Sequence, residues 1–197
     1  MKLNNYNNLL ELFFDQYEKQ DKNNIFLINL GNPKHKLSWK KTYLLVNHLS
    51  NQISKDIKLG DRCVLISENR PEWMISDLAI MLAGGISVPS YTTYTTKDYE
   101  YIIKDCEPSV IIVSNNIQFN KIKNILDYKK IKKIISFDRI ENLKFQNYLC
   151  IEDIINKKDG FENFNSEITL KRSDPACIIY TSGTQGNPKG VILSHGG

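Results

Sequence analysis

Apolar residues recur at helical spacing near the start of the chain. Leu9, Leu10, Leu12, Phe13 and Tyr17 share one side of a helix predicted from Tyr6 to Lys19. A short apolar strand follows from Ile25 to Leu30, and Gly31, Asn32 and Pro33 turn the chain. Ser38 is placed to cap a second helix through about Ser54, with Leu44, Leu45, Leu49 and Ile53 as its stripe, and Leu59-Gly60-Asp61 closes that unit. Beyond it the pattern alternates regularly. Strands are expected at Cys63–Ser67, Ile86–Pro89, Ser109–Ser114, Lys133–Phe137 and Ala176–Thr181, and helices at Pro71–Ala83, Thr96–Lys104 and Ile117–Lys129. Strands in alternation with helices predict an α/β fold, a mostly parallel sheet covered by helices, with ligands bound where loops leave the carboxyl ends of the strands. Between Asp138 and Asp174 the periodicity fades, and a loop-rich connection is expected.

Composition narrows the class. The 197 residues are 41% hydrophobic, enough for a core, and 26 Lys+Arg against 22 Asp+Glu give a net charge of +4 with the signs interspersed. One cluster stands out. Lys121, Lys123, Lys129, Lys130, Lys132 and Lys133 interleave with Ile122, Ile125, Leu126 and Ile131, which reads either as a basic amphipathic helix on a membrane surface or as a solvated helix face running into a lysine-flanked strand. A nucleic-acid partner is not expected, and a peripheral membrane contact stays open on this pattern. The amino terminus lacks a signal-peptide pattern, and Leu78–Pro89, the longest apolar stretch, is too short to span a bilayer, so the expected location is cytoplasmic. Cys63, Cys106, Cys150 and Cys177 are widely spaced and show no metal-ligand spacing with His35, His48 or His195, so all four are expected as reduced thiols, Cys63 and Cys177 buried in strands.

The chemistry concentrates in CIIYTSGTQGNPKGVILSH, residues 177–195. Three hydroxyls, three glycines and a lysine between apolar runs suit a polyphosphate. Gly183, Gly186 and Gly190 let backbone N–H groups approach an anion, Thr181, Ser182 and Thr184 offer hydroxyls to phosphate or magnesium, and Lys189 adds a cation. A Walker A loop would need glycine directly before the lysine and Ser or Thr directly after, whereas Lys189 stands between Pro188 and Gly190. On composition alone, a plain Gly/Ser/Thr turn between strands competes with this reading. Other chemical-looking positions have plainer roles: Ser38 and Lys41 satisfy Ser-x-x-Lys, which a helix cap explains; Trp73 is expected to pack; Arg70 is expected to meet the helix start or an acidic neighbour; and His195 is left between an orienting contact and chemistry.

The Tyr180–Gly190 stretch, YTSGTQGNPKG, resembles the signature loop of the acyl-adenylate-forming (AMP-dependent synthetase/ligase) superfamily and departs from it at Gln185. The block Leu59–Ser114, with Asn-Arg-Pro-Glu-Trp at 69–73 and Val-Pro-x-Tyr-x-Thr at 88–93, is similar to the upstream region of long-chain fatty acid–CoA ligases. The resemblance covers roughly residues 10–197 and implies the N-terminal part of an AMP-binding domain, cut just after its phosphate loop. It implies that Thr181, Ser182, Gly183, Thr184, Gln185, Gly186 and Lys189 hold the β- and γ-phosphates of ATP, with Lys189 stabilising charge in catalysis and Thr181 the candidate Mg2+ contact. Gln185 replaces a hydroxyl by an amide, which puts the loop's conformation in question more than its polarity. The implied reaction converts a fatty acid to an acyl-adenylate and then, with coenzyme A, to acyl-CoA. The same resemblance places the adenine and ribose contacts, most of the acyl tunnel and a mobile C-terminal domain outside these residues. Turnover by the 197-residue chain alone is therefore not expected, its last strand should bury its apolar side poorly, and a complementary downstream polypeptide is the implied partner. The alternative is a non-catalytic remnant with weak phosphate or partner binding.

Overall fold

The computed structural model describes residues 6–33, 35–155, 168–181 and 188–196. Its frame is a seven-stranded sheet ordered β7-β6-β5-β3-β4-β8-β9, built from β3 (Arg62–Ile66), β4 (Ile86–Ser90), β5 (Val110–Val113), β6 (Lys133–Ser136), β7 (Tyr148–Cys150), β8 (Pro175–Thr181) and β9 (Lys189–Ser194). Every neighbouring pair is parallel except β8 and β9, which form an antiparallel hairpin. The expected mostly parallel α/β sheet is what the chain adopts.

The parallel strands explain their own composition. Along β3, Cys63 and Leu65 join the core on one face while Val64 and Ile66 join the core on the other, and β5 divides Val110 and Ile112 from Ile111 and Val113 in the same way. With both faces buried, alternation of polar and apolar residues would be penalised, so the strands are continuous apolar runs. Each such Ile or Val contributes about 1.5–3 kcal/mol of transfer free energy. The first face is covered by α1 (Leu9–Lys19), α2 (Trp39–Ser54) and α3 (Pro71–Leu82), the second by α4 (Thr96–Cys106) and α5 (Asn116–Ile122).

Caps set the helix starts. The Asn8 side chain accepts from Glu11 N at 2.8 Å while its amide donates to Leu170 O at 3.0 Å, tying the first helix to the irregular segment that precedes β8. Ser38 Oγ accepts from Lys41 N at 3.2 Å, which accounts for the Ser-x-x-Lys spacing as a cap. Thr95 and Asp98 form a reciprocal capping box on α4, and proline opens α3.

Three expectations need correction. The helix expected over Ile117–Lys129 stops at Ile122, and the chain then turns around Ile125 and Asp127, so the lysine cluster forms no basic amphipathic helix. Its members scatter: Lys121 donates to Thr92 O, Lys130 pairs with Glu107, and Lys133 enters β6 with its side chain only 5% exposed. The connection after Asp138 carries β7 and α6 (Ile151–Ile155), and a three-residue strand, β2 (Lys36–Ser38), pairs antiparallel with β1 (Ile25–Ile28) before the second helix. Cys177 is half-buried rather than buried; all four cysteines are free. Among the described residues no helix is long and apolar enough to cross a membrane.

Lys132 and Lys133 offer a controlled comparison. Lys133 Nζ lies 2.5 Å from Asp56 Oδ2 and donates to Gln52 O at 2.7 Å, whereas the Lys132 side chain is 45% exposed at 3.4 Å from Asp61. Lys133→Ala should cost about 3 kcal/mol, because it removes a buried cation and leaves Asp56 with the Asn147 amide but no counter-ion. Lys132→Ala should cost less than about 1 kcal/mol. Urea unfolding of the two variants checks the contrast; equal losses would refute it.

Candidate functional site

The carboxyl ends of β3, β4, β5 and β6 open on one edge of the sheet, and β8 runs parallel to them. Thr181 therefore ends its strand on that edge. Across the hairpin, Thr181 is the register partner of Lys189, and Tyr180 is the partner of Gly190. Both Thr181 and Lys189 are exposed, and among the described residues Lys189 Nζ has no carboxylate partner. A hydroxyl and a free cation thus stand together at the mouth of the hairpin. Ser182, Gly183, Thr184, Gln185 and Gly186, the remaining residues expected to cradle phosphate, lie outside the described residues.

Side chains that no motif announced hold this hairpin in place. The Tyr180 ring is buried, its hydroxyl donates to Asp105 Oδ2 at 2.5 Å, and Tyr101 meets it edge-on at 6.5 Å. Burial, reinforced by the Asp105 carboxylate, pushes the Tyr180 phenol well above its ordinary value, so it stays a donor. Tyr94 OH donates to Tyr180 O at 3.3 Å, and Tyr94 in turn packs edge-on against Tyr91 and Tyr99 at 5.4 and 5.9 Å. Tyr99 is fully buried and donates to Tyr91 O at 2.7 Å. The segment after β4 is therefore an aromatic prop for the end of β8. The tyrosine spacing in SYTTYTTKDY was a signal of it, legible only once β4 and β8 are known to be neighbours.

A second brace crosses the same edge. Arg70, the N-cap residue of α3, donates to both oxygens of Asp138 at 2.8 Å, reaches Glu72 at 3.3 Å and lies over the Phe137 ring. This planar two-point pair joins the start of α3 to the segment that leaves β6 and holds the guanidinium charged. Arg70 thus meets the acidic neighbours expected of it, and Trp73 packs against the core. Nearby, burial raises the Glu68 carboxyl, but hydrogen bonds, one from Gln118 Nε2 at 2.9 Å, outweigh it and leave Glu68 below its usual range.

Two residues of the loop segment do other work than the sequence suggests. Gly190 lies in β9, where a Cβ would stand 3.0 Å from Ile178 Cγ2 and 3.2 Å from Tyr180 Cζ, so its missing side chain makes room for the Tyr180 ring. His195 sits at the other end of the hairpin, beyond Ser194, which pairs with Pro175. Its backbone N donates to Asp174 O at 3.1 Å, and burial lowers its pKa. The length of β8, about 20 Å, separates it from Thr181, which removes it from any chemistry at the loop.

A family model described as AMP-binding enzyme matches residues 13–197. The chain is 28% identical over 197 residues to a long-chain-fatty-acid–CoA ligase of Rattus norvegicus, covering 98% of this chain and 25% of that protein. Against a long-chain-fatty-acid–CoA ligase of Xenopus laevis it is 32% identical over 173 residues, covering 84% of this chain and 23% of the relative. The chain thus spans about a quarter of the length of the curated relatives it matches. Among solved structures, an anthranilate CoA ligase in complex with anthranoyl-AMP superposes with a TM-score of 0.79 at 23% identity, over 100% of this chain and 37% of that one, a likeness of fold.

Gly190→Ala should lower stability by about 1–3 kcal/mol, because the new methyl overpacks the Tyr180 ring. In a Tyr180→Leu background, itself less stable, Gly190→Ala should cost less than it does in the parent, and thermal melting of the two single variants and the double variant measures the difference. A Gly190→Ala variant as stable as the parent would show that the ring does not set this position.

Proposed function

The chain belongs to the AMP-binding enzyme family, and from that premise we propose that it forms the N-terminal portion of an ATP-dependent acid–thiol ligase acting on long-chain fatty acids. The observation that carries the reading is the hairpin mouth, where the Thr181 hydroxyl and the Lys189 ammonium, which has no carboxylate partner among the described residues, flank a connection composed of Ser, Gly, Thr, Gln, Gly, Asn and Pro.

In the proposed reaction a fatty carboxylate oxygen attacks the α-phosphorus of ATP, and the α–β bridging bond breaks to release pyrophosphate. The coenzyme A thiol then attacks the acyl carbonyl, and AMP leaves with the electron pair of the broken bond. Charge grows on the pyrophosphate oxygens in the first step, so a cation and donors fixed beside them lower that barrier. Lys189 is assigned this role, and Thr181, Ser182, Gly183, Thr184, Gln185 and Gly186 are assigned hydrogen bonds to the β- and γ-phosphates. Magnesium, when bound, would offset phosphate charge, with the Thr181 hydroxyl as the contact from this chain. The Tyr180–Asp105 bond and the tyrosine prop keep the strand ends from shifting as charge develops, which is the physical value of a preorganised site.

The adenine, ribose and acyl-chain contacts are assigned to polypeptide beyond these 197 residues, either continuous with them or supplied as a complementary chain. Domain assignment follows: residues 1–197 are the first part of an AMP-binding domain, ending just past the phosphate loop. Dispersal of the lysine cluster removes the pattern on which a membrane contact rested, and none is proposed.

A chimera tests the assignment. Residues 1–197 replace the matching stretch of the Xenopus laevis relative, and fatty-acid-dependent ATP–pyrophosphate exchange is measured. The chimera should exchange, and Lys189→Ala should slow exchange by a factor equivalent to about 2–4 kcal/mol. Undiminished exchange by the Lys189→Ala chimera would remove Lys189 from the proposed role.

A further inference from the structure

On the α4–α5 side of the sheet a groove of about 650 Å³ runs between α5 and the connection that follows β6. Asn116 and Asn120 stand one helical turn apart on its first wall, and Asn124, just past the end of α5, extends the row. The second wall is the segment from Glu141 to Lys144. Phe119, Ile140 and Leu143, which belong to the apolar core beneath, form the floor. β3 and β4 separate β5, the strand that leads into α5, from β8, which sets the groove about 14 Å from the hairpin.

Its walls hold polar groups that nothing in the chain satisfies. Among the described residues the side-chain amides of Asn116, Asn120 and Asn124 make no hydrogen bond, and all three residues are exposed. Lys123 and Lys144 pair with no carboxylate there and Glu141 with no cation, so the rim is net positive. An asparagine amide carries a donor and an acceptor side by side, the complement of one peptide unit. Four residues of helix advance about 6 Å. Two residues of an extended chain advance about 6.6 Å, so Asn116 and Asn120 are spaced to meet alternate peptide units of one strand. Every second side chain of that strand would point to the apolar floor and those between to the charged rim.

We propose that this groove binds an extended, acidic segment of another protein. The asparagine row holds its main chain, an apolar side chain rests on the Phe119–Ile140–Leu143 floor, and a carboxylate reaches Lys123 or Lys144. Main-chain hydrogen bonds then supply affinity and the alternate side chains supply specificity. Charge complementarity selects the acidic segment. Two lysines suit one or two carboxylates and are too few for nucleic acid, whose binding rests on many phosphate contacts. A second copy of the chain is the poorer occupant, because a two-fold dimer through this groove would oppose two positive rims.

The groove and the reaction assigned to the hairpin mouth are independent, so the test uses the full chain without nucleotide. Randomised peptides of about eight residues, displayed on phage, are selected on the immobilised chain, and enriched sequences are synthesised and titrated by fluorescence anisotropy. Enriched peptides should carry apolar residues two positions apart, with Asp or Glu between or beside them. Their affinity should fall roughly tenfold with Asn120→Ala, and likewise when Lys123→Gln is combined with Lys144→Gln. Methylation of alternate backbone nitrogens in the peptide should weaken binding as much, and methylation of the intervening ones should not. Lys189→Ala should leave binding unchanged, and Asn120→Ala, an exposed substitution, should melt with the parent. No enrichment, enrichment of basic peptides, binding indifferent to Asn120→Ala or to backbone methylation, or binding lost in Lys189→Ala would each overturn the proposal.

Discussion

Burial of the parallel strands on both faces is the constraint from which the rest follows. Once Cys63–Ile66, Val110–Val113 and Ile134–Ile135 are sealed between two helical layers, neither face of the central sheet can present a reactive group to solvent. Chemistry is confined to strand ends and to the loops that leave them. The antiparallel β8–β9 hairpin is the exception in this frame, and it is also where hydroxyls, glycines and Lys189 collect.

Rigidity at that edge comes from polar contacts set into an apolar frame. The Arg70–Asp138 pair clamps the start of α3 to the segment that leaves β6, and the Tyr180–Asp105 bond with its tyrosine prop fixes the root of the hairpin. These contacts position the described ends of the loop. On that root Thr181 and Lys189 are register partners.

Much of this was legible in the chain. The parallel α/β sheet followed from apolar runs alternating with capped helices, and Ser38 and Pro71 marked helix starts to within a residue. Short elements escaped: β2 and β7 are three residues each, too brief for any period to show, and α6 has five residues with its buried Ile151 and Ile154 only one turn apart. The Lys121–Lys133 run was ambiguous because lysine suits an exposed helix face and also snorkels from a strand edge; only the partner Asp56, 77 residues away, decides for Lys133. At the site, loop chemistry was visible in residue types, but the supporting contacts of Tyr180 and Arg70 span 75 and 68 residues, and no local pattern encodes them. Gly190 shows the converse, a glycine read as an anion contact whose place in β9 is set by an aromatic ring.

The account stands on the hairpin mouth being a polyphosphate site, and nuclear magnetic resonance of the 15N-labelled chain titrated with magnesium pyrophosphate tests that most directly. Saturable shifts should be largest from Thr181 to Lys189 and should weaken sharply in Lys189→Ala, while Arg70 and His195 stay nearly still. Shifts that fail to saturate, or that centre away from the hairpin mouth, would contradict it.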